Sequence, residues 1–363
     1  MYHLLRRIIL VRTPLSVGSF SASPLKSLRF LLTSSEIVSS PKSASLASNF
    51  VDFESNEKPV ILLFKNHGFS KSQISELIKK FPQVLSTDPE KTLLPKLLFL
   101  QSKGLSSPEV AKLVCGFPAI LKRSLNRQII PSFNYIHDLL QTEEKTIAAI
   151  KRCGGLLTWD LHNSARPNVE ILRQIGVPDS NIASILRSQP RVFLISSIRF
   201  KEIVEEVKEM GFNPLRLKFV VAVFALRAMS KSTWKKKVEV YRKWGWPEEE
   251  ILFAFRRHPC CMMASEDKIN GVVDFFVNQI GCESSYIARI PSLISHSLKK
   301  RLVPRGSVYQ VLLSNGLIKK HVNLPLLFVS TEKRFLDKFI EPHKKRIPEL
   351  FKLYTEKLEV SSK

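Results

Sequence analysis

The sequence contains few of the features by which enzymes, metalloproteins and membrane proteins are recognised. Its five cysteines form no C-x-x-C pair and have no histidine at zinc-ligand spacing, so they are predicted to be buried free thiols. Past the N-terminus, no stretch reaches the roughly 18 continuous apolar residues of a membrane span. G-x-S-x-G and H-E-x-x-H are absent, and Gly154-Gly155 lacks the Lys-Ser/Thr of a phosphate loop. We therefore expect no enzyme activity, no metal, no cofactor and no small-molecule substrate.

Acidic residues are also scarce relative to basic ones. Lys and Arg total 56 against 32 Asp and Glu in 363 residues, which gives a formal charge of +24 and a pI near 9.9. Such an excess repels itself unless an anion compensates, so nucleic acid is the first partner to consider and an acidic membrane surface the second. The 44% hydrophobic content is sufficient for a buried core.

The first 50 residues differ from the rest, with six basic residues, one acid and twelve serines. This composition is typical of an organellar transit peptide that is cleaved from the mature protein. The segment "LLRRIILVR" at 4–12 would form a short basic amphipathic helix, which favours the mitochondrion. The serine-rich stretch after it is also compatible with a chloroplast transit peptide, so the chloroplast remains the alternative. The remaining chain has 50 basic against 31 acidic residues, so the basic excess belongs to the mature domain.

An internal repeat is marked by proline and glycine. Four prolines recur at a step of 36 residues: Pro59, Pro95, Pro131 and Pro167. A glycine follows three of them nine positions later, at Gly68, Gly104 and Gly176, and Leu140 stands at the equivalent position after Pro131. A second proline series has the same step, at Pro82, Pro118 and Pro190, and Gly154 stands where its third proline would be. Past residue 200 the pattern continues through Gly211, Gly245, Gly281 and Gly316 and through Pro259 and Pro291, with "FVVAVFALRAM" at 219–229 filling one unit without a proline.

Each unit reads as two helices and a turn. Apolar residues at Ile74, Leu77, Ile78 and Phe81 have helical spacing, and Ser70 with Gln73 fits a capping box. The pattern predicts a helix over about 59–67 with Pro59 and its equivalents in the first turn, a turn at Gly68, a helix over 71–81, and a short turn after Pro82. About eight such units of roughly 32–36 residues cover 58–340. None could bury its own apolar face, so they are predicted to stack into an all-α solenoid.

The ordered series "FPQVL", "FPAIL", "QPRVF", "HPCCM" and "IPSLI" resembles the mitochondrial transcription termination factor (mTERF) family. The stretches 230–259 and 299–318 are similar to the plant organellar branch, and the resemblance covers nearly all of the mature chain. It implies that residues 51–340 form an all-helical superhelix whose repeats each add a short 3₁₀ turn, with a basic groove for double-stranded nucleic acid. It also implies a non-catalytic role in organellar transcription, its termination, or RNA processing. Residues 341–363 would be a basic tail or a terminal helix.

Basic clusters in successive units are the candidate nucleic-acid contacts. One cluster alone is more commonly a solvated helix face, but clusters in stacked units can align into a stripe that matches a phosphate backbone. The candidates are Lys235, Lys236, Lys237, Arg242, Lys243, Arg256, Arg257, Lys299, Lys300, Arg301, Arg305, Lys319 and Lys320.

Aromatic residues beside these clusters have two interpretations. Trp234, Trp244 and Trp246 could stack on bases, but packing at helix junctions is favoured, and His258 is expected to be packed or capping. Three function classes remain: a double-stranded DNA binder that regulates transcription, an RNA binder in splicing or ribosome assembly, and a protein-interaction scaffold. We expect a monomer, and a scaffold would have dispersed basic residues.

Overall fold

The protein is all-helical in the part that the structure, a computed structural model, describes, which is residues 58–319 and 323–360. The predicted transit peptide at 1–50 and the candidate residue Lys320 lie outside the described residues. No helix within those two ranges is long and apolar enough to cross a membrane.

The helices alternate as first and second members of successive units. The first helices are α1 (Pro59–Asn66), α3 (Leu94–Ser102), α5 (Ile130–Leu140), α7 (Arg166–Gln174), α9 (Ser197–Glu209), α11 (Lys231–Lys243), α13 (Glu266–Asp274) and α15 (Val303–Ser314). The second helices are α2 (Lys71–Lys80), α4 (Ser107–Gly116), α6 (Glu143–Arg152), α8 (Asp179–Ser188), α10 (Leu217–Arg227), α12 (Glu248–Arg257) and α14 (Ser284–Arg289). The chain ends with α16 (Glu332–Phe335) and α17 (Leu350–Val360).

A short third turn follows most second helices, as expected from the second proline series. These turns are Pro82–Ser86, Ala119–Lys122, Gly154–Thr158, Pro190–Phe193, Pro259–Met263 and Pro291–Ser295, with Leu324–Val329 in the same place after α15. The unit of α9 and α10 has none, since α11 begins directly after α10. There α10, which is apolar on all sides, packs against Pro259–Met263 of the next unit.

The repeat prolines occupy the first turn of the first helices, as predicted: Pro59 is the first residue of α1, and Pro95, Pro131 and Pro167 are the second residues of α3, α5 and α7. The sequence did not predict that the chain before the last three is already helical. Pro95 follows a widened turn, Pro89–Leu93, in which the N–H of Leu94 donates to the carbonyl of Pro89 five residues back. A proline has no N–H, and its ring collides with the carbonyl four residues back in a regular α-helix. The widened turn removes that collision. Equivalent turns precede α5, α7 and α15 at Leu125–Ile129, Leu161–Ala165 and Leu298–Leu302.

The turns between first and second helices depend on a left-handed backbone. Glycine takes it with φ between 66° and 87° at Gly68, Gly104, Gly176, Gly211, Gly245, Gly281 and Gly316. In the third unit the sequence placed Leu140 at this position, but the left-handed residue is Gln141, with φ of 64°. The turn there is shifted by one residue, which lets Leu140 remain buried as the last residue of α5.

Stacking of like helices builds one continuous core, which confirms the solenoid. Along the chain α2 packs on α4, α6 on α8, α8 on α10, α10 on α12 and α12 on α14. The predicted apolar face is buried in the first unit, where Ile74 and Leu77 contribute to a core that runs from α1 to α17. The terminal helix α17 packs against α15 and buries Leu350 and Tyr354.

Gly154 lies where the third unit (α5 and α6) packs closely against the second unit (α3 and α4). A Cβ at Gly154 would lie 2.6 Å from Phe117 Cδ2 and 2.8 Å from Leu113 Cδ1, so the site of the missing proline has no room for a side chain. Replacing Gly154 with Ala is expected to destabilise the fold by about 1–3 kcal/mol through overpacking, measured by chemical denaturation.

The matched control for Gly154 is Gly116, at the end of α4. A Cβ there meets nothing within 4 Å, so Gly116→Ala should be neutral or stabilising by up to about 1 kcal/mol. Equal effects at the two positions would contradict the close approach.

Candidate nucleic-acid interface

The repeat gives the solenoid two different edges. We call one the glycine edge: it contains the left-handed turns, where first helices end and second helices begin. We call the other the third-turn edge: it contains the third turns, where second helices end and the next first helices begin. Residues at equivalent positions of stacked units therefore form rows along one edge.

Seven of the eight first helices, or the widened turns that lead into them, begin on the third-turn edge with the same kind of cap, and so does α16. Eight residues accept a hydrogen bond from a backbone N–H of the first turn through their side chains: Asp88, Ser124, Asp160, Ser196, Ser230, Ser265, Ser297 and Thr331. Counted from these caps, the third residue is basic in six of the eight cases, and these residues are Lys91, Arg127, Arg199, Lys268, Lys300 and Arg334. We call these six residues the N3 row. Only Lys300 of this row was a sequence candidate, because the helical turns that precede the repeat prolines were not predicted.

Second helices place opposite charges on the two edges. Their last turns, on the third-turn edge, carry Lys79, Lys80, Lys151, Arg152, Arg187, Arg227, Arg256, Arg257 and Arg289. Their first turns, on the glycine edge, carry Glu109, Glu143, Glu144, Asp179, Glu248, Glu249 and Glu250. The second helices therefore contribute cations to the third-turn edge and acids to the glycine edge.

Helix dipoles explain only part of this arrangement. Basic residues at a helix C-terminus and acidic residues at an N-terminus are each stabilising by about 0.3–1 kcal/mol, so the charges of the second helices are compatible with stability alone. The N3 row has the opposite relation, because its cations lie at the positive ends of the first helices. An anion bound there would interact favourably with the helix N-termini and with the row.

The sequence candidates divide between the two edges. Those on or beside the third-turn edge are Lys235, Lys236, Arg256, Arg257, Lys299, Lys300 and Arg301. Arg242, Lys243 and Lys319 lie on the glycine edge instead. Arg242 forms ion pairs with Glu239 and Glu248 there, which leaves it less suited to contact a phosphate. The predicted single stripe is thus reduced to the first group.

Two candidates are buried, which corrects their assignment as phosphate contacts. Lys237 is 7% exposed, its Nζ donates to the carbonyl of Met262 at 2.7 Å, and burial lowers the pKa of its amine. Arg305 is fully buried; its Nη1 donates to the carbonyl of Ser330 at 2.8 Å and its Nη2 to Glu332 at 2.8 Å. Neither side chain can reach a ligand on the surface.

These two residues belong to a repeated internal contact. In four units a polar side chain of the first helix donates to a carbonyl at the end of the third turn, 25 residues later. The pairs are Lys96 to Leu121, Asn168 to Phe193, Lys237 to Met262 and Arg305 to Ser330. In three of them the donor directly follows a proline (Pro95, Pro167 or Pro304), a signal that was present in the sequence but not used. We call these four donors the third-turn anchors.

Comparison with known proteins places the chain in a family. The mTERF family model matches residues 61–227 and 223–336. The chain belongs to the mTERF family. One relative is the mitochondrial transcription termination factor MTERF15 of Arabidopsis thaliana, 21% identical over 49% of this chain and 48% of its own length. Another is the chloroplastic transcription termination factor MTERF8 of the same plant, 19% identical over 45% of this chain and 33% of its own length. The chain spans half or less of each.

The tryptophans of this mTERF solenoid are packed, as the sequence indicated. Trp246 is 2% exposed, stacks on Tyr241 at 4.6 Å and donates its N–H to Ser284. Trp234 is also buried, and half-buried Trp244 donates to Asn270. The five cysteines are free, three buried and two half-buried.

The anchor at Arg305 generates a stability prediction. Arg305→Ala would leave buried carbonyls without a donor and Glu332 without its ion pair, so we expect a loss of about 3–5 kcal/mol in the free energy of unfolding. The control is Lys300→Ala, an exposed residue of the same basic segment, which should change stability by less than about 0.5 kcal/mol. Urea denaturation of the full chain measures both. A small effect at Arg305 would contradict its role as an anchor.

Proposed function

We propose that this mTERF-family chain binds double-stranded DNA along its third-turn edge, without catalysis, and thereby regulates transcription in an organelle, the mitochondrion in the first instance. The observation that carries the proposal is the N3 row, six cations at helix N-termini, where intrahelical electrostatics disfavours them. A phosphate backbone supplies the anions that compensate such a row.

The spacing of the repeat suits a duplex. Packed helices lie about 8–10 Å apart, and each strand of B-DNA advances about 3.4 Å per nucleotide, so one step between stacked helices corresponds to about three base pairs. A row of cations with this regular step can contact phosphates at intervals along one strand without reading bases. The N3 row would therefore set position and affinity, not sequence.

Three further observations support the proposal. Both relatives are named as organellar transcription termination factors. The composition of residues 1–50 is that of an organellar targeting segment. In the second helices, basic residues lie on the third-turn edge and acidic residues on the glycine edge, whereas a protein-interaction scaffold predicts dispersed charge. Duplex RNA also presents regular phosphates, so RNA processing is the alternative that the binding experiment includes.

Salt dependence tests the proposal directly. The full chain should bind a labelled duplex of about 25 base pairs in fluorescence anisotropy, with an observed slope of log K against log salt of about −0.9 for each phosphate neutralised. We expect several contacts and stronger binding to DNA than to RNA of the same sequence. Stronger binding to RNA would favour RNA processing over transcription as the function. Binding to neither nucleic acid at physiological salt would contradict the proposed nucleic-acid binding.

Edge specificity is tested by two matched triple variants. Replacing Lys235, Lys236 and Lys300 with Gln removes three cations on or beside the third-turn edge, so affinity should fall and the salt slope should weaken by about 2.7, or 0.9 for each contact. Replacing Arg242, Lys243 and Lys319 with Gln removes the same charge from the glycine edge and should leave the slope nearly unchanged. Equal losses in the two variants would show that net charge alone drives binding.

A further inference from the structure

A group of cationic and histidine side chains meets on the third-turn edge between units 6, 7 and 8. Its members are His258 at the end of α12, Lys268 in α13, Ser295 and His296 at the end of the turn Pro291–Ser295, and Arg301 before α15. We call these five residues the histidine cluster. None of them was a sequence candidate except Arg301.

Hydrogen bonds hold the cluster together. His258 Nε2 and Ser295 Oγ share a hydrogen bond of 2.6 Å, and Lys268 Nζ donates to the carbonyl of Ser295 at 3.1 Å. Arg301 Nη1 lies 3.3 Å from His296 Nδ1, which must accept because a guanidinium can only donate. His296 is therefore neutral here, with its proton on Nε2.

The charged groups that act on the two histidines are positive, although Glu266 and Asp267 precede Lys268 in the first turn of α13. Burial and then the positive charges of Arg301, Arg305, Lys268 and His258 lower the pKa of His296 to about 4. Burial and Lys218 on α10 likewise lower the pKa of His258. Glu332 interacts electrostatically with Arg301, but its carboxylate accepts hydrogen bonds from Arg305 and from Tyr354. Within the described residues, no carboxylate forms an ion pair with any member of the cluster.

We propose that the histidine cluster is a phosphate subsite for the nucleic-acid backbone whose occupation is coupled to proton uptake. This inference rests on the proposed function and adds a specific site and a pH dependence to it. A backbone phosphate placed between Arg301, Lys268 and the two imidazoles would supply the anion that this desolvated group lacks. The cluster is half-buried and continues the N3 row, to which Lys268 belongs.

The coupling follows from the hydrogen bond at His296. Protonation of His296 Nδ1 turns this nitrogen into a donor, so it can no longer accept the hydrogen bond from Arg301. The Nη1 of Arg301 then becomes available to the phosphate. The anion in turn favours the imidazolium and raises the pKa of His296 from about 4. Between the free and the bound pKa the complex holds a proton that the free protein does not, so affinity rises as pH falls through this window.

The first experiment measures duplex affinity of the full chain from pH 7.5 to 5.5 at constant salt. If the bound pKa returns to its ordinary value near 6.5, affinity should increase about tenfold over this range. The variant H258Q/H296Q keeps hydrogen-bonding side chains but cannot take up the proton, so its affinity should vary much less. The control is His162→Gln, an exposed histidine on the same edge outside the cluster, which should keep the full dependence.

The second experiment uses the wild-type protein, so its result does not depend on whether a variant folds. Histidine-labelled protein is titrated by NMR with and without the duplex, and the pKa of His296 should be higher in the complex. Duplex binding with a pH dependence equal in wild type and H258Q/H296Q, or with an unchanged pKa, would overturn the subsite while leaving the proposed function intact. No duplex binding at any pH and salt would overturn both.

Discussion

The hydrogen bond from the first helix to the end of the third turn is the contact on which the rest of the architecture depends. Carbonyls at the end of a buried turn cost about 1–3 kcal/mol each if they lack a donor, and the third-turn anchors supply one in four units at the same spacing of 25 residues. Fixing the turn against the first helix makes the chain reverse at a constant place. In these units the end of the second helix then lies beside the start of the next first helix, and together they form part of the third-turn edge.

That edge combines two electrostatic effects of opposite sign. Basic residues at the ends of second helices agree with the helix dipole and contribute to stability whether or not a ligand is present. The N3 row opposes the dipole, and each cation there costs a few tenths of a kcal/mol in the free protein. An anionic ligand reverses that sign, because the helix N-termini and the row then both interact with it favourably. The histidine cluster is the most concentrated case, since burial also lowers the pKa of its Lys268.

The sequence predicted the repeat, the glycine turns and the apolar face because each reports a local requirement that recurs at a fixed period. It did not predict which basic residues are buried, because a run of lysines looks alike on either face of a helix. For Lys237, helical spacing would have predicted burial, because the residue shares one helix face with Trp234, Val238 and Tyr241. Arg305 is likewise on the buried face of α15. The widened turns before the prolines could not be predicted, since propensities for regular helices penalise proline there without indicating an alternative.

Protection of lysines from acetylation, read residue by residue by mass spectrometry on the free chain and on its complex with duplex DNA, tests the central claim most directly. Exposed lysines are compared in one sample, so the net charge and folding of the protein are the same for both edges. If the third-turn edge is the interface, Lys91, Lys235 and Lys300 become protected while Lys243 and Lys319 on the glycine edge keep their reactivity. Protection of the glycine-edge lysines, with the third-turn edge unchanged, would contradict the account.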